Sequence, residues 1–172
     1  AASVAPGGST TFQITFTPGG GLCQATINLE NNDFDEQLFS FAIQGTRVAA
    51  EVGVTGNSVD ILDGDITPSL LDHTDFGSVM TSSGSVVRTF AITNAGLATL
   101  LLGSVSVSGA QAAEFTVVSQ PAATLLPNAT TTFQVAFDPG ATGLRSATLS
   151  FTNNDSSENP FTFSIQGMGF LP

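Results

Sequence analysis

The chain has no tryptophan, tyrosine or lysine, and only one cysteine and one histidine. Each scarcity removes a class of function. Without lysine, positive charge rests on Arg47, Arg88 and Arg145, against a net charge of −11. Three scattered cations cannot track a phosphate backbone, so nucleic acid is not an expected partner. Anionic membrane surfaces are disfavoured for the same reason. Without Trp or Tyr there is no ring platform of the kind on which sugars stack, which disfavours carbohydrate binding. Cys23 is alone, so no disulfide forms within the chain. Its counterpart in the repeat described below is Arg145, at a turn-to-strand junction expected to face water.

His73 lies in Leu71-Asp72-His73-Thr74-Asp75, with no zinc-ligand set and no G-x-S-x-G elbow anywhere in the chain. The expectation is therefore a protein without catalytic activity. No apolar run approaches the roughly 20 residues of a membrane-spanning helix, so no membrane insertion is expected in this segment. No signal peptide is visible either, and this carries no inference about location.

What the chain does have is one passage written twice. Pro6–Gly45 reads PGGSTTFQITFTPGGGLCQATINLENNDFDEQLFSFAIQG. Pro127–Gly167 reads PNATTTFQVAFDPGATGLRSATLSFTNNDSSENPFTFSIQG. Phe12, Phe16 and Pro18 match Phe133, Phe137 and Pro139 at an offset of 121. One extra residue in the second turn moves the later matches to 122, among them Asn31-Asn32-Asp33 with Asn153-Asn154-Asp155. A period of that size is one domain, which points to a tandem array and to architecture more than chemistry.

Within the passage apolar residues alternate: Phe12, Ile14, Phe16; then Ala25, Ile27, Leu29; then Phe39, Phe41, Ile43. Period two means strands with one buried face, as in antiparallel sheets packed face to face. Thr17-Pro18-Gly19-Gly20, Asp138-Pro139-Gly140 and the Asn-Asn-Asp clusters supply the turns. Each copy reads as three strands that form the closing layer of a sandwich, so Phe12 and Phe133 are expected in like surroundings. Between the copies, strands are expected at 51–55, 75–79, 86–93, 100–107 and 115–118, with no segment keeping a helical stripe. The fold class is all-β. An immunoglobulin-like antiparallel sandwich is complete within 47–172 (Ala49 to Phe170 by the pattern), and residues 1–46 are the C-terminal half of a preceding repeat. Three strands with a Phe-rich face cannot stand exposed in water. That half-domain is expected to be a fragment of a longer chain, to pack on the intact domain, or to be completed by a neighbouring chain through strand addition.

Val52-Gly53-Val54-Thr55-Gly56-Asn57, Ile61 to Ser69, Thr74 to Val79 and Arg88 to Asn94 lead to Ala113-Glu114-Phe115-Thr116-Val117 and the closing FDPGATGLRSATLSFTNND…NPFTFSIQGMG. Over 49–170, and again in part over 1–46, this resembles the repeat of bacterial choice-of-anchor D surface proteins, relatives of the ASH (abnormal spindle/hydin-like) immunoglobulin-like domains. The resemblance implies a secreted or surface-anchored stalk, adhesin or matrix component and carries over no catalytic residues. Its expected partners are neighbouring repeats, copies of itself, and other surface or matrix proteins.

The densest acidic stretch holds Asp60, Asp63, Asp65, Asp72 and Asp75. Aspartates at near-alternate positions in a Gly-containing loop can converge oxygens on calcium. The competing reading is a solvated loop whose carboxylates cap turns. No other cofactor is expected. Calcium there would make the chain a metal-dependent ligand-binding adhesin module, the alternative to a purely structural role. Glu36 and Glu158 also match between copies and mark a second, weaker acidic position. Asn128-Ala129-Thr130 and Asn154-Asp155-Ser156 fit the glycosylation sequon.

Overall fold

Alternating apolar residues between turn formers fold this chain into strands, as seen in a computed structural model that describes residues 3–17, 21–82 and 84–171. The chain divides into two compact units, Ala1–Arg47 and Val48–Pro172. The turn expected at residues 17–20 has Pro18, Gly19 and Gly20 outside the described residues. No described helix is long and apolar enough to cross a membrane.

In the first unit, β1 (Leu22–Glu30) pairs antiparallel with β2 (Leu38–Thr46). Cys23 faces Gly45, Ala25 faces Ile43, Ile27 faces Phe41 and Leu29 faces Phe39.

The second unit holds β3 (Val52–Gly56), β4 (Val59–Ile61), β5 (Asp75–Met80), β6 (Val86–Asn94), β7 (Leu100–Leu101) and β8 (Ser106–Ser108). A single 3-10 turn, Ala112–Glu114, leads into β9 (Phe115–Ser119). Then come β10 (Thr124–Leu125), β11 (Thr130–Phe137), β12 (Gly143–Phe151) and β13 (Phe161–Phe170). One sheet has the order β4-β3-β6-β11-β9 and the other β5-β13-β12-β8, with β10 and β7 forming a short pair. β5 joins β13 in parallel. The fold is an all-β, immunoglobulin-like sandwich.

Inward Phe rings from both sheets fill the core. Phe90 of β6 lies 5.5 Å from Phe163 of β13, and Phe76 of β5 meets Phe115 and Phe137 edge-on at 5.6 and 6.0 Å. Such packing takes the place that Trp and a disulfide hold in antibody domains.

Four sequence expectations change here. First, residues 9–16, the counterpart of β11, form no strand, so the first unit has two strands among its described residues instead of three. Secondly, the three closing strands are not one layer: β11 pairs with β6 and β9 in one sheet, while β12 and β13 lie in the other. Residues 9–16 form no strand because a strand needs a ladder, and among its described residues the first unit contains no counterpart of β6 or β9. Thirdly, Phe12 and Phe133 do not share surroundings, being 54% and 0% exposed respectively. Fourthly, the strand expected over 100–107 is broken. Leu100 pairs with Leu125, whereas Val107 pairs with Leu149, so the chain changes partners between them. It does so at Gly103, where a β-carbon would collide with Thr152. Strand β4, not expected from the pattern, follows a tight turn at Asn57 and Ser58, whose φ angles are 50° and 63°.

Candidate functional site

Four of the five aspartates of the acidic stretch accept backbone N–H groups. Asp63 Oδ1 accepts the Thr162 N–H at 2.7 Å, and Asp65 Oδ1 accepts the Thr67 N–H at 2.8 Å. Asp72, 7% exposed, accepts the Thr74 N–H at 2.9 Å and the Thr74 hydroxyl at 2.5 Å. Asp75 takes the Gly77 N–H through Oδ1 and the Gln166 side-chain amide through Oδ2, each at 2.7 Å. Asp60 is exposed on β4. Among the described residues these carboxylates do not converge on a common point. Most cap turns, a role that short Asp side chains perform through their own local backbone.

The carboxylates that do converge are Glu51, Asp155 and Glu158, with one oxygen from each within 4.8 Å of the others. Sequence spacing could not bring Glu51 to the other two; the close approach of β3 to the β12–β13 turn does. Burial raises the Glu158 pKa above 4.5, and the charges of Asp155, Glu51 and Asp63 push it the same way. His73 has φ 65° and a pKa lowered from 6.5, first by burial and then by Arg88, against the opposing charge of Asp72.

The Asn-Asn-Asp turns close alike in both units. Asn31 Oδ1 accepts the Asp33 N–H at 2.7 Å, as Asn153 Oδ1 does with Asp155. The Asn31 amide donates to Glu36 O at 2.6 Å, and the Asn153 amide to Glu158 O at 2.8 Å. In the second unit the cluster also ties the turn to other strands. Asp155 Oδ2, on a residue 3% exposed, accepts the Val52 N–H at 3.1 Å. Asn154 accepts the Leu101 N–H at 2.8 Å and donates to Thr99 O at 3.1 Å.

The remaining feature is the apolar face of the first unit. Phe12, Phe16 and Phe39 are 54%, 48% and 50% exposed, while their counterparts Phe133, Phe137 and Phe161 are at 0–1%. Phe16 lines a groove of about 380 Å³ together with Ile14, Cys23, Ile27, Ile43 and Gly45 among others. The alternation of the sequence foretold this face. Arg145, the counterpart of Cys23, does not simply face water: its Nε lies 3.2 Å from Glu114 Oε2, both side chains being 19% exposed.

Comparison with known proteins gives a fold and a family. A family model described as HYDIN/CFA65/VesB-like, Ig-like domain matches residues 69–168. Ig-like domains of this kind are generally non-catalytic. A protein of unknown function from Porphyromonas gingivalis W83 superposes with TM-score 0.51 at 15% identity, over 90% of this chain and 69% of that one. The human CEP192 ASH/PapD-like domain 7 gives TM-score 0.45 at 14% identity, over 74% of this chain and 91% of that one. The secreted serine protease VesC of Vibrio cholerae gives TM-score 0.44 at 18% identity, over 55% of this chain and 21% of that one. Among curated proteins, none matches this chain.

Proposed function

We propose, because this chain belongs to the HYDIN/CFA65/VesB-like Ig-like domain family, that it is a non-catalytic structural and adhesive module of a repetitive secreted or cell-surface protein. It serves as part of a stalk, matrix or filament in which such units follow one another and hold their neighbours by completing each other's sheets. One observation carries this reading. The β1–β2 hairpin has the same register as β12–β13, residue for residue at an offset of 122, so the chain repeats a three-dimensional unit as well as a string of letters. Repeated units of this kind set reach and multivalency, which need no reaction centre. The acidic surface favours an extended array, because like charges on successive units repel.

Small-angle scattering tests the reading on chains in which residues 48–172 are joined in one, two and three copies. The expected maximum dimension grows by a fixed increment per copy. Growth only as the cube root of mass, the mark of collapse into one globule, counts against a spacer.

A further inference from the structure

In the second unit, the segment formed by β11 to β13 is completed by residues 48–126. Phe133 stacks on Phe90 at 5.2 Å, and Phe137 stacks on Phe115 at 4.7 Å. The turn joining β12 to β13 is tied down by the N–H groups of Val52 and Leu101. The first unit keeps the residues that make those contacts, as Phe12, Phe16, Asn32 and Asp33 on a hairpin of unchanged register. Among its described residues it has no counterpart of β3, β5, β6 or β9.

We propose that this face is the docking site for the opening half of an adjoining repeat, a stretch with the chemistry of residues 48–126 and without closing strands of its own. The proposal rests on the array reading above and names the partner that reading requires. When the stretch docks, residues 9–16 join a sheet as β11 does, antiparallel to the counterpart of β6, with Phe12 opposite the counterpart of Phe90. Asp33 then accepts the N–H at the counterpart of Val52, and the groove closes over Ile27 and Ile43. A second copy of this chain cannot supply the stretch intact, because its own β11 to β13 already cover residues 48–126.

Cys23 is the sole thiol and lines the groove, so its alkylation reports whether the face is covered. The test places a second copy of residues 48–126 ahead of Pro6 in the full chain, reproducing the junction at Leu126–Pro127. The expected result is a rate of Cys23 alkylation at least about tenfold lower than in the 172-residue chain. Amide exchange at Phe12 and Ile14 should also slow toward that of Phe133 and Val135. Phe16→Asp in the extended chain should restore the faster alkylation. Unchanged alkylation while residues 48–172 stay folded overturns the proposal, as does an added stretch that exchanges like an unfolded chain. Alkylation that slows in the unextended protein as its concentration rises assigns the face to self-association instead, and also overturns it. These readouts concern closure of one face, so their failure leaves the length test of the array reading standing.

Discussion

The ring of Phe137 lies against the α-carbon of Gly167, and only the missing side chain of that glycine leaves room for it. Phe16 lies on Gly45 in the same way in the first unit, where a β-carbon would come within 2.7 Å of the ring. The duplication therefore preserves a packing contact along with its letters. In the second unit the ring is wedged among core neighbours, Phe76 and Phe115. In the first unit it is 48% exposed.

Gly167→Ala is accordingly expected to destabilise the second unit by about 1–3 kcal/mol, since a buried ring must shift to admit the methyl group. Calorimetry should show its melting temperature fall by several degrees. Gly45→Ala should leave that transition where it is, because the Phe16 ring has solvent to move into.

A similar contrast holds for Phe133 and Phe12. Phe133→Ala leaves a cavity between the sheets and should cost about 3–5 kcal/mol. Phe12→Ala should change urea stability by under about 1 kcal/mol, because its ring is already half in water. Equal losses from the two would contradict the difference in burial.

Asp155→Ala strands the buried N–H of Val52 and removes the acceptor for the Ser157 N–H at 3.0 Å. An unmade buried hydrogen bond costs about 1–3 kcal/mol. Denaturant midpoints should fall accordingly, with amide exchange at Val52 accelerated. The same change should lower the Glu158 pKa toward its ordinary value, since the Asp155 charge helps to raise it.

Glu158 gives the fold a pH dependence of definite sign. Its pKa is higher folded than unfolded, so the folded state holds the proton more tightly. Protonation therefore contributes stability that is fully present below about pH 4.5 and is lost as pH rises through the folded value. Glu158→Gln should match the parent protein below pH 4.5 and exceed it at neutral pH. A gap that widens toward acid pH would contradict the assignment.

Calcium at millimolar concentration, or a chelator, is expected to leave the melting temperature unmoved. The oxygens of Asp63, Asp65, Asp72 and Asp75 are engaged by N–H and O–H donors instead of facing one another. A rise of several degrees with calcium that Asp63→Asn abolishes would show that the loop rearranges to bind it, whereas a rise abolished by Glu158→Gln would belong to the Glu51, Asp155 and Glu158 cluster.

Local pattern was enough to read much of this. Alternation at Phe133, Val135 and Phe137, and at Ala147, Leu149 and Phe151, marked inward faces that are all buried. Asn153 and Asp155 announced a turn because short polar side chains bond their own backbone. The cluster of Glu51, Asp155 and Glu158 was not legible, since two of its members are neighbours only across a chain separation of about a hundred residues.

The amino-acid sequence by itself determined most of the strand segments of residues 48–172, which face of each is apolar, and that one hairpin occurs twice, because these depend on period and turn chemistry over a few residues. Tertiary structure alone decided that β11 belongs to the sheet opposite its own successors, and that the chain changes partners at Gly103. Sheet membership is a matter of which distant backbone N–H and C=O groups meet. Without β6 and β9 beside it, the same Phe-rich pattern at residues 9–16 makes no strand.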